Sequence, residues 1–278
     1  MTSKIDIFRS IRSLTDRNTP ALRIKIRESI NLMRDEILKE MKQRFVKDRA
    51  NRIADGIIDW DALNTKQETL LKSVILGIMD KAGKLAFGIK KQIKKLDFEI
   101  GFDVVNVEAV KIAEKITSEL ITLIDSEAKK NIKYLIRNGI KDGKTMSEVA
   151  KGIRLEQLGL TLRDLKASAN YEAWLLINKP KLRAKEIERR VGVYERRKYR
   201  KRCDLIARTE TSRAVSEGTI LGYKQTGVKR VEFLAAAGSC EECGSLNGTT
   251  YNVNAASGII PIHPACRCCF APLIQRDI

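Results

Sequence analysis

The feature that most constrains this chain is a cluster of sulfur near its C-terminal end. Cys240-Glu241-Glu242-Cys243 is followed, after a gap of nineteen residues, by His263-Pro264-Ala265-Cys266-Arg267-Cys268-Cys269. Five of the six cysteines and the only histidine in 278 residues fall within this stretch of thirty. A Cys-x-x-Cys pair aims two thiolates at one point from a tight turn, and His-x-x-Cys offers a second such pair. Four soft donors at this spacing match one closed, tetrahedral, structural zinc site. Cys240, Cys243 and His263 are the firmest ligands. Cys266 completes the set, and Cys268 can take the fourth place if the chain turns sharply at Arg267. Cys269 and the distant Cys203 read as small buried apolar groups.

Other thiol chemistries fit less well. Disulfide frameworks belong to small secreted domains, and Met1-Thr2-Ser3-Lys4-Ile5-Asp6 opens no apolar signal segment. A redox Cys-x-x-Cys is expected at a strand-to-helix turn of a βαβ unit, and no such pattern precedes Cys240. A hydrolytic zinc needs an open coordination position with a general base beside it. Glu241 and Glu242 qualify for that role by proximity alone. The expectation is therefore a staple and not an enzyme.

Charge separates the staple from the rest of the chain. The formal net charge is +18, yet Cys203 to Ile278 holds seven basic and seven acidic residues, so Met1 to Arg202 carries the whole excess. Zinc fingers that read nucleic acid carry their cations on the finger; this one does not. Hydrophobic content of 43% with 32% charged residues indicates a folded, highly charged protein. No apolar run approaches the ~20 residues of a membrane span.

Helical periodicity dominates the first two hundred residues. Thr19-Pro20 reads as a helix start leading into Ile26, Ile30, Met33, Ile37 and Met41. Thr65 with Glu68 reads as a capping box for a second helix, which continues into a run from Lys81 to Lys95 holding six lysines and no acid. Gly101 to Asn106 breaks the pattern, and a long helix follows from Val110 to Ile136. Thr145 with Glu148, and Thr161 with Asp164, cap two more, the latter with Leu160 and Leu165 as a hydrophobic staple. Asn178-Lys179-Pro180 ends that helix. Lys181 to Arg202 then carries eleven basic residues against three glutamates. Arg189, Arg190, Arg196, Arg197, Lys198, Arg200, Lys201 and Arg202 form its candidate phosphate-binding face, with Tyr194 and Tyr199 as stacking support.

Beyond Arg202, residues Ile206 to Ser216 still read as helix. Val228 to Leu234 alternates as a strand. Asn247-Gly248 reads as a type I′ turn, giving a hairpin from the Cys-x-x-Cys knuckle, and Cys268 to Pro272 as an edge strand that Pro272 terminates. So small a sheet cannot stand alone, and zinc rather than a hydrophobic core is expected to fasten it. The fold class is α+β, predominantly α-helical. An elongated helical part is expected to precede a small zinc-stapled β-hairpin module. Three regions result: 1–100, N-terminal and helical; 101–202, basic and helical; 203–278, the module.

Ala207-Arg208-Thr209-Glu210-Thr211, then a strand, Cys-x-x-Cys, Leu246-Asn247-Gly248 and His263-Pro264-Ala265-Cys266-Arg267-Cys268 resemble the phage head morphogenesis family. These are minor head proteins related to the Mu F-like head protein. Phe102-Asp103-Val104 and Gly143 to Ala150 are similar to that family's helical lead-in, so the resemblance covers roughly residues 101–273. It implies a structural protein of a tailed bacteriophage, made in the host cytoplasm and placed in few copies inside the capsid near the portal. Portal or major capsid protein and double-stranded DNA without sequence preference are the implied partners, and the protein is oligomeric within the particle. Arg208, Glu210 and Arg267 are expected to be structural, with Glu210 accepting from Arg267 to clamp the Cys-Arg-Cys turn onto its helix. The alternative is an enzyme, ADP-ribosyltransferase-like or zinc-dependent, acting on nucleic acid or host protein. The Glu-x-Glu pattern and a Gly-rich phosphate loop are both missing for that alternative.

Overall fold

Apolar side chains recurring at helical spacing build long helices, and strands enter only after residue 229. The computed structural model describes residues 3–43, 60–94, 107–142 and 146–273. Seven described helices come first: α1 (Lys4–Gln43), α2 (Trp60–Lys94), α3 (Val107–Lys141), α4 (Met146–Gly152), α5 (Leu155–Gly159), α6 (Leu162–Asn178) and α7 (Ala184–Gln225). Then come β1 (Arg230–Leu234), the one-turn helix α8 (Glu241–Ser245), β2 (Thr250–Asn252) and β3 (Cys269–Leu273). The fold is α+β and predominantly helical, with one small antiparallel sheet of order β2-β1-β3. The break expected at Gly101 to Asn106 and the capping residue Thr145 lie outside the described residues.

By contact the chain divides into two units, each assembled from separate stretches. Unit 1 comprises Met1–Lys25, Leu70–Ser118 and Leu205–Ile278; unit 2 comprises Ile26–Thr69 and Glu119–Asp204. A partition in sequence order cannot express such a division.

Two expected helix starts are interior positions. Pro20 lies inside α1 and costs that helix about 3 kcal/mol through its missing N–H and ring clash. Leu22, Ile26, Ile30, Met33 and Ile37 are all essentially inaccessible, and each contributes about 1.5–3 kcal/mol by burial, so the helix runs through. Thr65 likewise donates to the Asp61 carbonyl at 2.9 Å, inside α2, rather than capping it. The Thr161 cap forms as expected, accepting from the Asp164 amide at 3.1 Å, with Leu160 and Leu165 both buried. Helix α6 ends at Asn178, ahead of Pro180.

In unit 1 the second half of α7 is the central element. From Glu210 to Tyr223 every residue except Arg213 is buried. Gly218 and Gly222 make the closest approach to α2: a Cβ at 218 would stand 2.3 Å from the Met79 carbonyl oxygen, and one at 222 would stand 2.7 Å from that of Gly83. Only glycine fits there.

The sheet rests on a hydrophobic core, contrary to the expectation that metal alone fastens it. Val231 and Phe233 of β1 and Phe270 of β3 share one cluster with Ala86, Ile220 and Tyr223. Phe270 meets Phe233 and Tyr251 edge-on, each with centroids 5.8 Å apart. Alternation could not anticipate that core, because it is supplied by α2 and α7 from far along the chain. Two further expectations need correction. Asn247-Gly248 is not a type I′ turn, since Gly248 has φ +82° but Asn247 has no positive φ. Instead the Gly248 amide donates to the Phe233 carbonyl at 2.9 Å and Asn247 Oδ1 accepts from the Ala235 amide at 2.9 Å, so the pair ties the loop to β1. Pro272 does not end β3 but pairs with Val231, tolerated because β3 is an edge strand.

Unit 2 is held by buried polar networks between its helices. Glu195 of α7 is fully buried and accepts from Arg154 at 2.6 and 2.8 Å, Gln157 at 3.2 Å and Ser168 at 2.7 Å. Asn131 of α3 donates to the carbonyls of Gln157 and Leu160, both at 2.8 Å. Gln67 of α2 donates to Ser29 at 2.9 Å and to Asp125 at 3.3 Å. Burial pushes the Asp125 carboxyl up to about 6, against the opposing effect of Gln67 and Lys129.

Candidate metal centre and basic helix face

Each cysteine is placed by a local backbone device. Cys240 caps α8, its sulfur accepting from the Cys243 amide at 3.5 Å, which fixes both thiols of the Cys-x-x-Cys on one turn. The second pair is fixed by a turn in which the Cys266 amide donates to the His263 carbonyl at 3.1 Å. Ala265 within it has φ +59°, the left-handed conformation that a residue with a Cβ adopts only when held. Thr209 of α7 holds it: its hydroxyl accepts from the Ala265 amide at 2.9 Å and donates to the Leu205 carbonyl at 2.8 Å.

The donors converge in two triplets that share Cys243. Cys240, Cys243 and His263 form one and Cys243, Cys266 and Cys268 the other, the ligand atoms of each lying within 4.8 Å of one another. All four cysteines thus cluster within metal-binding distance, and all are free thiols. Cys243 Sγ and Cys266 Sγ are 3.9 Å apart. Sulfurs bound at ~2.3 Å to one tetrahedral ion would stand about 3.8 Å apart, so the spacing fits. His263 Nδ1 lies 2.9 Å from the Pro264 carbonyl oxygen. An imidazole that donates there leaves its Nε2 lone pair for a metal, the usual arrangement behind a ligating histidine.

Electrostatics favour thiolate at part of the set. Cys266 is brought down to about 5, first by the Cys268 thiol donating to it and then by the amides of Cys268 and Ile262. Cys240 is lowered as well, chiefly by the Cys243 amide. Burial pushes Cys243 up to about 12, and donation to Cys266 raises Cys268. Cys269 and Cys203 are buried, as the sequence indicates. The cavity beside Cys268 and Cys269, floored by Ser212, Ser216 and Phe270, holds about 10 Å³. That is room for about one water.

The expected Glu210–Arg267 clamp does not form. Glu210 is buried and pairs with Arg213 one turn on, at 3.5 Å, while Arg267 is exposed. The helix and the Cys-Arg-Cys turn are clamped all the same, but through Thr209 between Arg208 and Glu210. A second clamp had no sequence signal. Glu217, also buried on α7, accepts from Ser257 Oγ at 2.7 Å and the Gly258 amide at 2.6 Å.

The eight basic residues singled out on α7 divide into two groups. Arg189 and Arg190 both pair with Glu186, at 2.7 Å. Lys198 pairs with Asp164 at 3.0 Å and stands over the Tyr194 ring. Arg202 is drawn inward, donating to the carbonyls of Gly159 and Leu160 at 2.6 and 3.1 Å, so it is a structural residue of unit 2. Arg196, Arg197, Arg200 and Lys201 are exposed and make no ion pair among the described residues. Tyr199 is no stacking platform: it is buried, and it fills the space where a Cβ on Gly159 would stand.

Neither a family model, nor a curated protein, nor a solved structure matches the chain.

Proposed function

We propose that this chain is a structural minor head protein of a tailed bacteriophage, acting in head morphogenesis inside the capsid near the portal. One observation carries the reading. The two motifs on which the family resemblance rests, Arg208-Thr209-Glu210 and His263 to Cys268, meet through the Thr209–Ala265 hydrogen bond. Motifs joined by a side-chain-to-backbone clamp suit a protein that holds a shape.

In this reading zinc is the resident ion. Cys243 and Cys266, with two of Cys240, Cys268 and His263, would hold it, and it would cross-link α8 to the loop before β3. Its contribution is structural. The compact, neutral module docks on portal or capsid protein. Arg196, Arg197, Arg200 and Lys201 meet packaged DNA, neutralising phosphate without reading sequence.

The test is made on purified particles. Density for this chain beside the portal, with protein retained on DNA in a salt-sensitive way, supports the reading; its absence from mature and procapsid particles alike overturns it. Replacing the four exposed cations with Ala should reduce the slope of log affinity against log salt by about 3.6, at ~0.9 per phosphate contact.

A further inference from the structure

The turn between α6 and α7 carries a surface that neither metal nor phosphate accounts for. In the last turn of α6, Trp174, Leu176 and Ile177 are 49%, 57% and 77% exposed. At 100° per residue they cover an arc of roughly 160°, with only Leu175 turned inward. That apolar face is wider than the roughly 100° stripe of an ordinary amphipathic helix, with the exposed polar Glu172 and Asn178 lying outside it. Immediately beyond lie Lys179, Lys181, Arg183 and Lys185, and from Ala173 to Lys185 there is no acidic residue. The hairpin has its own small core of Leu175, Ile187 and Val191, with Tyr171 and Leu182 against it; Trp174 stacks on Tyr171, while Leu176 and Ile177 take no part in that core.

We propose that this tip inserts shallowly into an anionic lipid surface. Aliphatic and indole groups enter the acyl boundary while the four cations meet the headgroups, their long stems reaching outward from the apolar tip. Nucleic acid fits less well, because Leu176 and Ile177 have no face on which a base can stack. A second copy of the chain fits less well too, since two such tips would bring eight cations together. Among the described residues no helix is long and apolar enough to cross a membrane, and shallow insertion requires none.

The chain has two tryptophans, so Trp60→Phe leaves Trp174 as the sole indole reporter. Full-length protein carrying that substitution is mixed with vesicles of phosphatidylglycerol and phosphatidylcholine, or of phosphatidylcholine alone. The expected result is a blue shift of Trp174 emission and co-sedimentation with the anionic vesicles only. Ile177→Ser should weaken that binding at least about tenfold, an effect that charge attraction by the rest of this basic protein would not show. Because Ile177 is exposed, circular dichroism of the variant should be unchanged. Vesicle binding without an emission shift, or equal binding by the Ile177→Ser protein, overturns the proposal. So does quenching of Trp174 by an oligonucleotide or an acidic peptide with no response to lipid.

Discussion

The two units secure their short elements by opposite means. In unit 1, three strands of three to five residues and a single helical turn are gathered around thiols that lie within thirty residues of one another. In unit 2, α5 and α6 are tied in by buried amides and carboxylates whose partners stand 26 to 41 residues away. The first device is soft and local, a set of donors spaced to take a metal ion. The second is hard, non-local and complete within the chain. The comparison teaches that a fold can be pinned equally well by chemistry that announces itself in the sequence and by chemistry that does not.

The sharpest way to break the comparison is to remove a donor that a bound ion would need. Cys243 belongs to both donor triplets, so Cys243→Ala should abolish metal binding, where the native chain should show one zinc by elemental analysis. Ion binding of this kind is worth about 10 kcal/mol or more in small zinc modules. Because the sheet here also owns a core, the expected outcome is loss of hydrogen-exchange protection across residues 230–273 with most helical dichroism retained. Protection unchanged by both the substitution and a chelator would mean that the core alone suffices.

Next in size is the buried hub of unit 2. Glu195→Ala strands Arg154 half-buried and leaves Ser168 and Gln157 short of an acceptor. Breaking one side of such a pair costs about 3–5 kcal/mol, read as a fall in the urea midpoint that a chelator does not enlarge. A fall below about 1 kcal/mol would rank the hub with ordinary surface pairs.

Asp125 sharpens the contrast through pH. Its folded value of about 6 lies above the ordinary 3.8, so the native state holds the proton more tightly than the unfolded chain. That contribution is full below pH ~4 and is lost as pH rises through ~6, a loss on the order of 3 kcal/mol for a shift of about two units. Asp125→Asn should flatten that part of the stability profile. A native profile already flat from pH 4 to 7 would place Asp125 in a wetter site.

The smallest effect is expected at the clamp. Thr209→Val keeps the shape and removes the acceptor for Ala265, costing about 1 kcal/mol. Thr209→Ser should restore most of it.

Much of the metal centre was legible because each donor pair is set by its own short loop. The Cys-x-x-Cys and His-x-x-Cys spacings each place two donors on one turn, whereas the hold of Thr209 on the second turn is tertiary. Legible too were the Thr161 cap and the stop before Pro180, both decided within one turn. What lies between distant helices was not. Gln67, Asn131 and Glu195 look like ordinary polar residues on helical stretches, and their burial follows only from which helices meet. Thr19-Pro20 misled for the same reason: a local start signal was outweighed by apolar burial contributed by other elements. Arg202 resembled its cationic neighbours until the carbonyls of Gly159 and Leu160 proved to lie within its reach. Glu210 had the right motif and the wrong role, since the hydroxyl beside it points toward the turn.

Gly218 and Gly222 carry no chemistry at all, yet they set how near α7 comes to α2. A saturation scan of this chain would leave two blank columns there, one turn apart, among buried neighbours that still carry side chains. A reader hunting for catalytic positions in such a map would be drawn to a place where the only thing being protected is the contact of two helix backbones.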